Sequence, residues 1–210
     1  MEFIVITGPN YEKASAKIKE ALTHYDGIEL RLDLFQQIEF REIEKIINLC
    51  KTSNKKIIVT KRTKSSGGGY KGCLQKLKTE LVAIDRLSPD YIDLECSLSD
   101  HFFTSIVNTK VIASHHDFNH TPKDLEQTLK SLQKENVYAY KLCTTALDLS
   151  DSYRMLNFIY KQKKTMNKFI GICMGDAGQP TRISGVSAGN YLNYRILNIS
   201  DKVSEGMIFA

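Results

Sequence analysis

The 210-residue sequence predicts a single (β/α)₈ barrel of the TIM type, spanning residues 1–210 as one catalytic domain and lacking a regular eighth outer helix. Three observations carry that prediction. Apolar, β-rich runs begin eight times, at intervals of 20–35 residues, and each interval has room for a strand, a helix and two short loops. Between the runs the apolar period changes from two to about 3.6. Ionisable residues collect at or just past the C-terminal ends of many different runs, and a barrel brings those ends to one mouth. The alternative is an open doubly wound sheet, which would spread them along an edge and bind its ligand at one switch point.

The predicted strands are Phe3–Thr7, Ile28–Leu32, Lys56–Thr60, Tyr91–Leu94, Val111–Ser114, Ala139–Cys143, Phe169–Met174 and Gly189–Tyr194. Helical faces are read from Ile43, Ile46, Ile47 and Cys50; from Leu74, Leu77, Leu81 and Ile84; from Leu125, Leu129 and Leu132; and from Tyr153, Leu156, Ile159 and Tyr160. Thr121-Pro122 reads as a helix start, with Thr as N-cap and Pro in the first helical position. Lys64-Ser-Ser-Gly-Gly-Gly-Tyr reads as a flexible loop after the third strand, without Walker or dinucleotide spacing. Arg195–Ala210 has no amphipathic pattern, so no eighth helix is expected there.

Composition narrows the class. Hydrophobic residues make up 42% and charged residues 25%, which excludes a disordered or collagen-like chain. The net charge of +5 is modest and spread along the chain. It suits a small anionic substrate at least as well as nucleic acid, and no nucleic-acid partner is expected. No run of 18 apolar residues suggests a membrane span, and the start MEFIVITGPN lacks the basic region of a signal peptide. Five widely spaced cysteines form neither a disulfide framework nor a zinc site. A reduced, cytoplasmic protein without metal or cofactor is expected.

Several residues suggest chemistry. Lys141 lies within an apolar strand, where loss of hydration should lower its pKa and free an amine for Schiff-base formation; the alternative is a lysine that snorkels outward. His115 and His116 end the fifth strand, and alternation admits only one of them to the mouth. Glu29, Arg31 and Asp33 share one face of the second strand, so they pair with each other or bind ligand. Arg62 and Glu95 sit at further strand ends, and Arg182, read in the loop after the seventh strand, could clamp a carboxylate.

These segments together resemble type I 3-dehydroquinate dehydratase. They are Ile28-Glu-Leu-Arg-Leu-Asp, Thr60-Lys-Arg-Thr with Gly67-Gly68, Tyr91-Ile-Asp-Leu-Glu, Ser114-His-His-Asp-Phe with Thr121-Pro122, Tyr140-Lys141, Gly171-Ile-Cys-Met-Gly and Thr181-Arg-Ile-Ser. Gly189-Asn-Tyr-Leu-Asn-Tyr resembles the family's eighth strand. The resemblance implies a barrel enzyme of the shikimate pathway that dehydrates 3-dehydroquinate to 3-dehydroshikimate without cofactor or metal. It implies that Lys141 forms the imine and that His116 is the acid–base. Glu29, Arg31 and Arg62 would hold substrate hydroxyls, and Arg182 the carboxylate.

The sequence departs from the family in three places. Ser65-Ser66-Gly67 stands where the family has a glutamate that orients the histidine, leaving Glu95 or a water as the expected support. Val203-Ser-Glu-Gly-Met207 replaces a lid sequence containing glutamine; it is expected to bind substrate less well and to be mobile without ligand. The last helix is missing. The expected partner is the small-molecule substrate, with no membrane; a homodimer and a fused shikimate dehydrogenase domain are both compatible with the resemblance. A lysine-dependent aldolase and a barrel that has lost catalysis, serving as a binding or scaffold module, are the competing readings.

Overall fold

The computed structural model describes residues 1–165 and 168–210. Eight parallel strands form one sheet: β1 (Glu2–Ile6), β2 (Gly27–Arg31), β3 (Lys56–Thr60), β4 (Tyr91–Glu95), β5 (Lys110–His116), β6 (Ala139–Thr145), β7 (Phe169–Met174) and β8 (Asn193–Arg195). Each strand from β1 to β6 pairs with the next, and β8 pairs with β1. Among the described residues, seven helices cover the outside: α1 (Tyr11–His24), α2 (Phe40–Thr52), α3 (Leu74–Asp85), α4 (Asp100–Thr104), α5 (Leu125–Ser131), α6 (Leu149–Thr165) and α7 (Gln179–Ala188). After β8 the chain makes a 3₁₀ turn, Ile199–Asp201, in place of an eighth outer helix. No described helix is long and apolar enough to cross a membrane.

The strand period of two sorts the side chains. Ile28 and Leu30, or Ile57 and Val59, join the apolar layer under the helices, while Phe3, Val5, Ile58, Tyr91, Ile112, Ala139, Cys143, Ile170, Ile172 and Tyr194 fill the inside. That same parity sends Glu29, Arg31, Asp93, His116 and Lys141 inward, near the C-terminal ends. Local signals fix the helix starts: Asn10 accepts from Lys13 N at 3.1 Å to open α1, and Glu39 and Glu42 form a reciprocal capping box on α2.

Four local expectations need correction. The eighth strand begins at Asn193, not Gly189. The residues before it close the seam with β7 differently: Tyr191 N donates to Phe169 O at 2.9 Å, and the Asn190 side chain receives from Gly171 N and donates to Gly171 O. A side-chain amide thus mimics one rung of a ladder. Thr121 does not cap α5, which starts at Leu125 behind an Asp124 cap; the Thr121 hydroxyl is buried against Thr144 and Thr145. On α6 the buried face is Met155, Phe158 and Ile159, while Tyr153 and Tyr160 are exposed. Gly171 explains this rotation, because a Cβ there would lie 2.7 Å from Met155 Sδ and 2.8 Å from Ile159 Cγ1. Leu74, in the first turn of α3, is also exposed.

Candidate active site

The C-terminal ends of the strands surround a small cavity. Glu29, Arg31, Arg62, His116, Lys141 and Arg182 all line it, so six of the nine residues singled out from the sequence meet at one place. His115, one residue away on β5, is not among the lining residues, as alternation requires. Arg182 arrives from α7, not from a loop: Gln179 and Pro180 begin the helix, and its first turn points the guanidinium over the mouth. Glu95 lies at the end of β4 beside the mouth, but it does not support His116. Its carboxylate accepts from Thr63 N at 2.5 Å and Thr63 Oγ1 at 2.7 Å, which fastens the loop after β3.

That loop is tied at several points. Gly68 N donates to Thr63 O, Tyr70 N to Arg62 O, and Gly69 N to the Asp33 carboxylate at 2.9 Å. Asp33 also receives both Nε and Nη2 of Arg31, at 3.0 and 2.8 Å. The face shared by Arg31 and Asp33 is therefore a bidentate ion pair that anchors the glycine-rich segment to β2. Among the described residues, nothing in this loop reaches His116 Nδ1, which is buried without a partner.

Asp93, on β4, is the residue that sequence reasoning missed. It accepts from Lys141 Nζ at 2.9 Å, Arg62 Nη2 at 3.1 Å and Ser114 Oγ at 2.6 Å. Glu29 lies 3.7 Å from Lys141 Nζ and accepts from Thr60 Oγ1 at 2.7 Å. The signal for Asp93 was present in Tyr91-Ile-Asp-Leu-Glu: a carboxylate in the middle of a buried strand must have a partner. Its neighbours decide the charge state of Lys141. Burial favours the free amine, but the Asp93 carboxylate, with Tyr194 and Glu29, more than offsets it and holds Lys141 above the ordinary lysine range. The expectation of a depressed lysine pKa is thus overturned in the empty site, where Lys141 is an ammonium. Burial likewise opposes the charge on Asp93, yet Lys141 and Arg62 hold its carboxyl well below the usual range.

His116 behaves in the opposite way. Burial, reinforced by the nearby cations Arg62 and Lys141, pushes its pKa well below that of a free histidine. The imidazole is therefore neutral at neutral pH and able to accept a proton. Among the lining arginines, Arg31 is matched by Asp33 and Arg62 by Asp93. Arg182 is the cation that no described carboxylate pairs: its Nη2 donates to Ser204 Oγ at 2.9 Å, and its buried Nε has no partner.

Ser204 belongs to the segment 203–207, which was expected to be loose. It is docked across the mouth, with Met207 buried in the barrel interior cluster. Gly175 N donates to Glu205 O at 3.2 Å. Gly206 has φ +73°, and a Cβ there would meet Gly175 O at 2.2 Å, so the close crossing depends on glycine. No group of three or more metal-ligating side chains occurs among the described residues.

An amine on a strand, a neutral imidazole one strand away and an unpaired guanidinium at the rim can form an imine, move a proton beside it and hold an acid. Residues 2–208 match the family model for type I 3-dehydroquinase. A bifunctional 3-dehydroquinate dehydratase/shikimate dehydrogenase of Arabidopsis thaliana is 32% identical over 186 residues, covering 85% of this chain. The chain spans only 30% of that protein's length. A 3-dehydroquinate dehydratase of Coxiella burnetii is 26% identical over 197 residues, with 93% of this chain and 83% of the relative covered. The crystal structure of a type I 3-dehydroquinate dehydratase from Clostridium difficile superposes with a TM-score of 0.81 at 22% identity, covering 99% of this chain and 87% of that one, which establishes the shared barrel. With a family match over nearly its whole length on a barrel of the same architecture, the chain belongs to the type I 3-dehydroquinase family.

Proposed function

We propose that this chain dehydrates 3-dehydroquinate to 3-dehydroshikimate through an imine on Lys141. The observation that carries the reading is the buried Lys141 ammonium, held at 2.9 Å by Asp93 in a cavity that His116 and the unpaired Arg182 also line. Once deprotonated, the amine attacks the substrate ketone. Loss of water gives an iminium, which acidifies the adjacent C–H. His116 takes that proton, and the resulting enamine expels the hydroxyl one carbon further on, which receives its proton from His116 and leaves as water. A second water hydrolyses the imine and returns Lys141. Arg182 holds the substrate carboxylate, while Glu29, Arg31 and Arg62 hold hydroxyls. None of these steps calls for a metal or cofactor.

Residues 1–210 are read as one catalytic barrel domain of a cytoplasmic enzyme. The name of the Arabidopsis relative joins this activity to a shikimate dehydrogenase in one chain, and a fused partner of that kind is compatible with the present sequence.

The test is to mix the protein with 3-dehydroquinate and follow the ultraviolet absorbance of the conjugated enone acid. Borohydride added during turnover should trap one adduct per chain, on the peptide carrying Lys141. Lys141→Ala should abolish both signals. Absence of product, or an adduct on another lysine, overturns the proposal.

A further inference from the structure

We propose that the Tyr194 hydroxyl is a substrate-contacting group that donates a hydrogen bond to the oxygen on the carbon attacked by Lys141. The inference rests on the imine reading of the site and adds a residue to it.

Tyr194 lies in β8, in register with Phe3 of β1, and its ring forms part of the cavity wall. The Lys141 ammonium sits 4.3 Å from the ring centroid. The residue is 3% exposed, and its buried hydroxyl lies beside Lys141 and donates a hydrogen bond to none of the described residues. The neighbouring polar groups of the strand ends are matched differently: Thr60 donates to Glu29, Ser114 to Asp93, and Lys141 to Asp93. The phenol is thus an unused donor beside the nucleophile.

A buried hydroxyl without a partner destabilises the empty protein, because it has lost its water and gained nothing in return. Packing does not require that hydroxyl. The ring rests in an interior cluster with Phe3, Val5, Ile172 and Met207, where a phenylalanine of the same shape would serve. What the hydroxyl adds is a donor directed into a region that holds Lys141, Glu29 and Asp93. Burial keeps the phenol protonated by pushing it above the ordinary tyrosine range. In the empty site it is therefore a donor.

The substrate oxygen bound to the attacked carbon is the natural acceptor. It gains negative charge as Lys141 Nζ adds to the ketone, and a donor next to Nζ strengthens with that charge. Lys141 itself cannot serve this role while its nitrogen forms the new bond.

Tyr194→Phe removes only the hydroxyl. The variant should lose about 10- to 100-fold in kcat/KM for 3-dehydroquinate, in line with loss of one hydrogen bond that forms at the reacting carbon. Single-turnover borohydride trapping at Lys141 should slow by the same factor. The ligand-free variant should melt at the same temperature as wild type or higher, since an unpaired buried hydroxyl is gone. A structural hydroxyl would give the opposite result, a lowered melting temperature. Unchanged kcat/KM, or a loss of activity accompanied by a lower melting temperature, overturns the assignment. If wild type itself fails to turn over 3-dehydroquinate, the reaction assigned to the site is overturned; an active wild type with an equally active Tyr194→Phe overturns Tyr194 alone.

Discussion

Replacing Asp93 by Asn removes one negative charge from between two buried cations. Asp93 lies 2.9 Å from Lys141 Nζ and 3.1 Å from Arg62 Nη2. At an effective dielectric constant of about 20, each contact is worth roughly 5–6 kcal/mol of Coulomb attraction before desolvation is subtracted. Removing one member of such a buried pair generally costs about 3–5 kcal/mol, because the remaining charges stay buried. For a domain of this size that corresponds to a melting temperature lower by about 6–20 °C.

The sign of the pH dependence follows from both partners. Asp93 is lowered in the folded protein, so its stabilisation is present above an unfolded aspartate pKa of about 3.9 and is lost as pH falls through the folded value. Lys141 is raised, so its stabilisation is present below about 10.4 and is lost as pH rises through the folded value. The pair's contribution in wild type should therefore be flat from about pH 5 to 9, while the gap to Asp93→Asn should narrow as pH rises through the lowered folded pKa of Lys141 in the variant, read by denaturant unfolding at several pH values. Chemistry should move as well. With Asp93 neutral, burial and the Arg62 cation pull Lys141 toward the free amine against the weaker pull of Tyr194 and Glu29. The pH profile of borohydride-trapped imine should shift to lower pH in the variant. A stability loss under about 1 kcal/mol together with a superimposable trapping profile would refute the assignment of Lys141's charge state to Asp93.

The two histidines give a cleaner contrast. His116→Ala should lower kcat by about 10²-fold or more, the usual worth of a positioned acid–base, while His115→Ala, pointing away from the cavity, should lose far less; steady-state kinetics on both variants checks the strand register. Arg182→Ala should raise KM by roughly 10- to 150-fold, the equivalent of a charge-assisted contact of about 1.5–3 kcal/mol, and Arg182→Lys should recover only part of it. Deleting Ser204–Ala210 removes one hydroxyl acceptor from Arg182 and should raise KM less than Arg182→Ala does; the reverse order would give the carboxylate contact to the segment 203–207.

The sequence determined what depends on local order. Eight apolar runs at regular spacing defined the strands, and Lys56–Thr60 and Phe169–Met174 are observed with the same boundaries. A period of two admitted only one of His115 and His116 to the mouth, because strand alternation requires no knowledge of neighbours; the family resemblance chose His116, and the structure turns His116, Glu29 and Lys141 into the cavity. Errors arose where a residue's fate depends on a distant segment. Thr121 has the chemistry of a cap but is taken by Thr144, and the Asn190 side chain stands in for strand pairing because Gly171 lies opposite. The charge on Lys141 is the clearest case. The apolar run Val137-Tyr-Ala-Tyr-Lys-Leu-Cys left burial and outward snorkelling both open, and burial alone would have favoured a free amine. Asp93 precedes Lys141 by 48 residues and reaches it only when β4, β5 and β6 lie side by side. Hydropathy is carried by each residue along the chain, whereas a pKa is set by the charges that folding brings within a few ångströms, and only the closed barrel supplies them.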